Sequence, residues 1–267
     1  MITNNVNDIP IVVFALNERT IDLSILSIKK LGFENIIVLD QKVGFSEKLK
    51  LFFELTNDER YKDHDLFVRT DADRICLKGL IDLCKESKKL LQKSNEGYLL
   101  VEGKGYERFM ERFRGATPHV YSRKCMEHCL KNKEIIKNVL KPETKIGQYF
   151  QKNYDAAKHV EYFTNLHEFN QFPSKMYHAF LTRIKRGHIG YYNVDLILRD
   201  KFYSLPMQKA LMDSKNCNSS SMDYYLENID KDLSLLDEEL GPIIKLEKEY
   251  DKCIAFANNL MMKLQKT

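Results

Sequence analysis

The chain has 267 residues, of which 43% are hydrophobic and 30% charged, and its formal net charge is +4. That length can bury a substantial core in one domain or two, the composition is that of a globular protein, and so small a charge gives no argument for nucleic-acid binding. Six cysteines scattered without a secretory signal read as reduced thiols. The apolar run at residues 9–16 is too short to span a bilayer and has no basic residues before it, so the expectation is a soluble, cytoplasmic protein with no integral membrane segment.

Residues 11–15 are apolar without alternation, as in a strand covered on both faces. Asn17, Glu18 and Arg19 break the run, and Thr20 is placed to cap a helix over residues 21–31 that Gly32 closes. A second strand at 35–39 ends in Asp40, and Ser46 is placed to cap a helix reaching about Leu55. The third strand, from Leu66, leads into Arg69-Thr70-Asp71-Ala72-Asp73. Side chains alternate along a strand, so Asp71 and Asp73 are expected on one face. Two such carboxylates repel each other unless a cation sits between them. Hard oxygen ligands of this kind suit Mg²⁺ or Mn²⁺ against the phosphates of a nucleotide.

A helix over residues 80–91 and a strand over 98–101 complete a strand–helix alternation, the pattern of right-handed crossovers in a mainly parallel α/β sheet. Ligands bind beyond the carboxyl ends of such strands, where Asn17, Asp40, Asp71 and Asp73 all fall. Cys125, His128 and Cys129 read as one helix face, since their spacing matches no common zinc pattern. Residues 103–190 are less regular and predict a shorter β-ribbon and helices at the sheet's open end.

From residue 222 onward the chain holds 6 Lys and 10 Asp or Glu, which leaves a net +8 on the remainder, a balance that suits an anionic ligand. Leu226, Ile229, Leu233, Leu236 and Leu240, and after Pro242 a second series from Ile243 to Leu264, predict two helices with narrow apolar seams. The expected division is a catalytic domain over residues 1–221 and a helical extension over 222–267. Its seams have two candidate partners, another subunit in a homo-oligomer or the rest of this chain.

With these residues in place, the chain resembles nucleotide-sugar-dependent glycosyltransferases of the GT-A fold over roughly residues 9–190. The resemblance implies transfer of a sugar from a nucleotide-sugar donor to an acceptor hydroxyl, with Mn²⁺ or Mg²⁺ on the donor diphosphate. Asp73 then becomes the principal metal ligand and Asp71 reaches the metal or the ribose. Asn17, Arg19 and Asp40 stand at positions that hold base and ribose, and Arg69 goes with the donor-binding group. A later histidine serves as a further ligand in many members; here His167 and His188 are the candidates. Residues 115–123 fall where donor sugar and acceptor are positioned.

Glu143, at the start of a helix, matches the place of the base in inverting members, which usually carry an acidic pair where this chain has Glu143-Thr144. Arg183 and Lys185, with Arg186, suit a leaving diphosphate, while His178 on an apolar helix face reads as structural. The acceptor stays open among a glycan, a lipid-linked glycan, a protein side chain and a nucleobase. Two other readings compete. One is a nucleotidyltransferase making nucleotide sugars, against which the glycine-free segment 15–19 speaks; the other is a non-enzymatic assembly protein.

Overall fold

A computed structural model describes residues 6–16, 18–136, 142–185, 187–215 and 231–264. β1 (Ile11–Phe14) is buried along its whole length. It runs parallel to β2 (Ile36–Leu39) on one side and β3 (Leu66–Asp71) on the other. The helices α1 (Ile21–Lys30), α2 (Phe45–Glu54) and α3 (Gly79–Lys93) alternate with these strands. Val12, Phe14 and Phe67 point into a core with Leu49, Phe52 and Phe53 of α2. Ile11, Val13, Leu66 and Val68 face Ile28 of α1 and Leu80 and Leu83 of α3. Cover on both faces explains the unalternating apolar runs.

The rest of the sheet is mixed. β5 (Leu100–Glu107) and β6 (Arg112–Ser122) form an antiparallel pair, β6 runs antiparallel to β3, and β7 (Ala157–His167) lies parallel to β5. β4 (Arg74–Cys76) pairs antiparallel with β7, giving the order β2-β1-β3-β6-β5-β7-β4. The parallel arrangement expected from the sequence thus holds for β1, β2 and β3 and for β5 with β7. It reverses at β6, because the short β5–β6 connection makes a hairpin rather than a crossover.

β3 and β4 are joined only by Ala72 and Asp73, which span at most about 11 Å. In a flat sheet the four strand steps between them would need roughly 19 Å. The sheet must therefore curl, and register shifts in β5 against both neighbours mark where it bends. The two aspartates lie at the mouth of that curl.

Several local expectations change. Thr20 precedes α1 but makes no cap bond; its hydroxyl donates to the Ala72 carbonyl at 2.7 Å, tying the first loop to the aspartate turn. α2 starts at Phe45, one residue before Ser46, with Gly44 in the cap position. Of residues 115–123, expected where donor sugar and acceptor are positioned, 115–122 are the second half of β6. Helix α4 (Arg123–Lys131) follows at once, with Ser122 Oγ accepting from the Cys125 amide. Cys125 and Cys129 pack in the core, and burial pushes the Cys125 thiol up to about 11. His128 instead lies between the Tyr98 and Tyr149 hydroxyls, so these three residues form no metal cluster.

After α5 (Pro142–Tyr154), α6 (Pro173–Lys185) packs with α7 (Val194–Leu198), α8 (Ser204–Asp213) and α9 (Lys231–Leu240) around Phe109, Phe180 and Met207. Cys253 and Ala257 of α10 (Leu246–Leu264) pack against Leu23, Tyr106 and Phe169. Of the two partners expected for the C-terminal seams, the described parts meet this chain. Leu226, Ile229 and the boundary at 221/222 lie outside the described residues. Among those residues, no helix is long and apolar enough to cross a membrane.

Candidate active site

The curl opens a cleft with two lobes of about 280 and 390 Å³. Arg69, Asp71, Asp73, Glu143 and Glu168 line both lobes and form the partition between them. The first lobe is walled by Phe14, Val43, Phe45 and Met176, with Lys48 and Lys175 among them. Lys48 Nζ donates to the Ala15 carbonyl at 2.7 Å and Lys175 Nζ to that of Leu16, so two ammonium groups hold the end of β1. Burial pushes the Glu18 carboxyl up on this wall, against the pull of Lys175.

Two polar rows cross the floor of the second lobe, and both follow from strand register. Arg69, His119, Glu102 and His159 are lateral neighbours on β3, β6, β5 and β7, as are Arg74, His167, Glu107 and Arg112 on β4, β7, β5 and β6. Laterally paired residues share a face of the sheet. The second row therefore gathers Arg74 and His167 around Glu107, a carboxylate with no solvent exposure. Arg114, two residues along β6, forms an ion pair with Glu107, its Nε 2.9 Å from the carboxylate. His167 Nδ1 is 2.6 Å from the same carboxylate, and Arg183 and Arg74 stand at 3.8 and 3.9 Å. Burial alone would raise Glu107, but His167, Arg114 and Arg74 hold it well below the usual carboxylate range.

Glu107 has four cationic neighbours and no exposure to solvent. Removing one partner of a buried ion pair typically costs about 3–5 kcal/mol. Glu107→Gln should accordingly lower Tm by roughly 6 °C or more for a chain of this size, as read by calorimetry. A Tm within a degree of wild type would show that the carboxylate does not hold these groups together.

Asp71 and Asp73 differ in role. Asp71 ends β3, and Asp73 stands in the turn beyond, so strand alternation does not reach it; both still face the cleft. Asp71 accepts from Arg69 Nη2 and, at 2.9 Å, from the Thr117 hydroxyl, with Arg74 Nε at 3.6 Å. Burial opposes its ionisation, yet Arg69 and Arg74 keep it well below the ordinary range. Arg69 is itself buried between the rings of Phe14 and Phe45, 4.9 and 4.8 Å from their centroids. From the wall of the cleft it positions Asp71.

Asp73 Oδ2 lies 3.1 Å from His167 Nε2, while its Oδ1 is buried with no hydrogen-bond partner. Neighbouring ligands of an octahedral Mg²⁺ stand about 3 Å apart, so this oxygen–nitrogen pair has the spacing of a metal edge. Glu107 on His167 Nδ1 fixes the ring, as carboxylates do behind metal-binding histidines. Glu168 beside it also keeps a buried oxygen, Oε2, without a hydrogen-bond partner. The Asp73–His167 pair, and the group Glu107, His167 and Glu168 whose donor atoms lie within 4.8 Å of one another, fit a divalent cation. Without one, burial and Arg74 work against protonation of His167, but Glu107, Asp73 and Glu168 raise it to about 9.

The remaining candidates scatter. Of the two histidines, His167 is the one against Asp73; His188 lines only the second lobe, as does Arg183. Glu143 stands in the first turn of α5 on the partition, its Oε2 buried without a hydrogen-bond partner. Arg19 lines neither lobe: it donates to the Gly241 and Asn170 carbonyls at 2.6 and 3.0 Å and ties the α9–α10 turn to the core. Asp40 is exposed beyond β2, and Lys185 on α6 also lines neither lobe. Asn17 and Arg186 lie outside the described residues. His178 is buried on α6, and burial with Lys175 nearby brings it down to about 4. Glu107, Arg74 and Arg114 had no local signal; only the pairing of four strands brings them together.

No family model matches the sequence, and no curated protein is significantly similar to it. Among solved structures, the chain is similar to A197 from STIV, at 14% identity and TM-score 0.39, covering 58% of this chain and 82% of that one. It is also similar to a glycosyltransferase involved in glycosylation of the major capsid of PBCV-1, at 11% identity and TM-score 0.38, covering 61% and 94%. A third is 4-diphosphocytidyl-2C-methyl-D-erythritol synthase from Anaerococcus prevotii, at 10% identity and TM-score 0.39, covering 59% and 90%.

Proposed function

We propose that this chain is a metal-dependent glycosyltransferase of the GT-A type, moving a sugar from a nucleotide-sugar donor to an acceptor hydroxyl. The observation that carries this reading is the partition itself. Asp71, Asp73 and Glu143 stand between an apolar-walled lobe with two lysines and a polar lobe with histidines and arginines.

The first lobe suits a nucleoside. Phe14, Phe45 and Val43 offer apolar cover, and the two ammonium groups offset phosphate charge. The diphosphate then falls at the partition and the transferred sugar enters the second lobe. Asp73 and His167 would hold Mn²⁺ or Mg²⁺, which supplies Lewis-acid charge to the diphosphate oxygens. Arg183 faces the same region and favours the charge that grows on the departing diphosphate. Glu143 offers an unpartnered oxygen to the acceptor hydroxyl. As the bond from acceptor oxygen to anomeric carbon forms and the bond to phosphate breaks, Glu143 takes the hydroxyl proton. This is the inverting course; a retaining one would leave Glu143 without that task.

A thermal-shift panel of nucleotide sugars with Mn²⁺ tests the reading. A ligand at a hundred times its Kd adds about 2.7 kcal/mol to stability, several degrees in Tm for a chain this long. The expected result is such a shift for one donor class, lost in chelator. A chain indifferent to every nucleotide sugar would end this assignment, and pyrophosphate release from a nucleoside triphosphate would replace it with nucleotidyl transfer.

A further inference from the structure

Arg112 is a cation that the partition does not use. It lies laterally opposite Glu107 in the β5–β6 pairing, yet Glu107 is already engaged by Arg114, His167, Arg74 and Arg183. The neighbouring carboxylate, Glu111, accepts instead from Asn193 at 2.7 Å. Among the described residues, no carboxylate lies within ion-pair distance of Arg112. Its guanidinium sits 4.3 Å from the ring centroid of Tyr191, which is 49% exposed, and both line the second lobe. Stacking on an aromatic face fixes the plane of a guanidinium while leaving its N–H edge open. An oriented fork beside an exposed ring matches a ligand with a planar or tetrahedral oxyanion next to an apolar sugar face. A neutral acceptor offers such a fork only uncharged hydroxyl oxygens, without the charge-assisted bonds of an oxyanion.

Resting on the glycosyltransferase reading, we propose that the second lobe selects an acceptor carrying a phosphate ester, gripped by Arg112 against Tyr191. A soluble sugar phosphate and a lipid-linked phosphate share this chemistry.

Calorimetric titration of the full chain, with chelator present so that no metal site competes, separates the sources. One arm uses a hexose 6-phosphate against the parent hexose. The other uses phosphatidylcholine vesicles with and without a polyprenyl phosphate. One phosphorylated ligand should bind at least about tenfold more tightly than its neutral counterpart. Arg112→Gln should remove that advantage, and Arg112→Lys, which keeps the charge but not the fork, should recover only part of it. Lys89→Gln, on the exposed face of α3, should bind as wild type. Equal binding of neutral and phosphorylated ligands overturns the proposal. So does no binding in either arm, or an equal loss in Lys89→Gln. A chain that answers nucleotide sugars in the thermal-shift panel but fails this titration loses the acceptor assignment alone. One that ignores every nucleotide sugar loses the reading beneath it.

Discussion

Asp73→Ala is expected to lower sugar transfer about a thousandfold while the chain stays folded. A bound metal contributes several kcal/mol of transition-state charge stabilisation, and about 4 kcal/mol corresponds to three powers of ten in rate. Asp73 is the cleaner probe of the two aspartates. Its Oδ1 has no partner to lose, and His167 keeps Glu107 when Asp73 is gone. Asp71→Ala would instead strip the counter-ion from buried Arg69 and Arg74, a loss of fold as much as of function. The measurement is initial transfer rate with Mn²⁺, with far-ultraviolet circular dichroism to confirm folding. Wild-type activity that survives chelator, or an Asp73→Ala rate within a few-fold of wild type, removes the metal from the mechanism.

Glu143→Gln is expected to lower kcat by a factor of roughly 10² to 10⁴, the usual contribution of a positioned general base, with the donor KM changed only a few-fold. Glutamine keeps the shape and one acceptor oxygen but takes no proton. Because Oε2 has no hydrogen-bond donor in the resting site, little structure depends on its charge, and the effect should appear in turnover rather than in Tm. A variant that turns over as wild type, with product of retained anomeric configuration, would assign Glu143 to the wall of the cleft and not to the chemistry.

Much of the architecture is legible along the chain. Residues 11–15 and 66–68 lack alternation because helices cover both faces of β1 and β3. Thr20 was expected to serve its own helix, yet a buried hydroxyl binds whichever carbonyl lies within reach, here that of Ala72. Arg19 followed the first strand in the right place for a ligand, but its guanidinium donates to the Leu240 and Gly241 carbonyls at the α9–α10 junction and to that of Asn170. That junction is more than two hundred residues away, so no local pattern could have announced it.

The choice between His167 and His188 illustrates the boundary most directly. As residues in a sequence they are equal. Register separates them, because pairing of β4 with β7 sets His167 opposite Arg74, and pairing of β5 with β7 sets it beside Glu107. Spacing and residue type along the chain were enough to mark strands, helices and the carboxylates at Asp71 and Asp73, since those signals depend on burial and on neighbours a few residues away. Which charges meet in the cleft was settled by how a curled sheet aligns its strands, since contacts between distant segments leave no periodic trace.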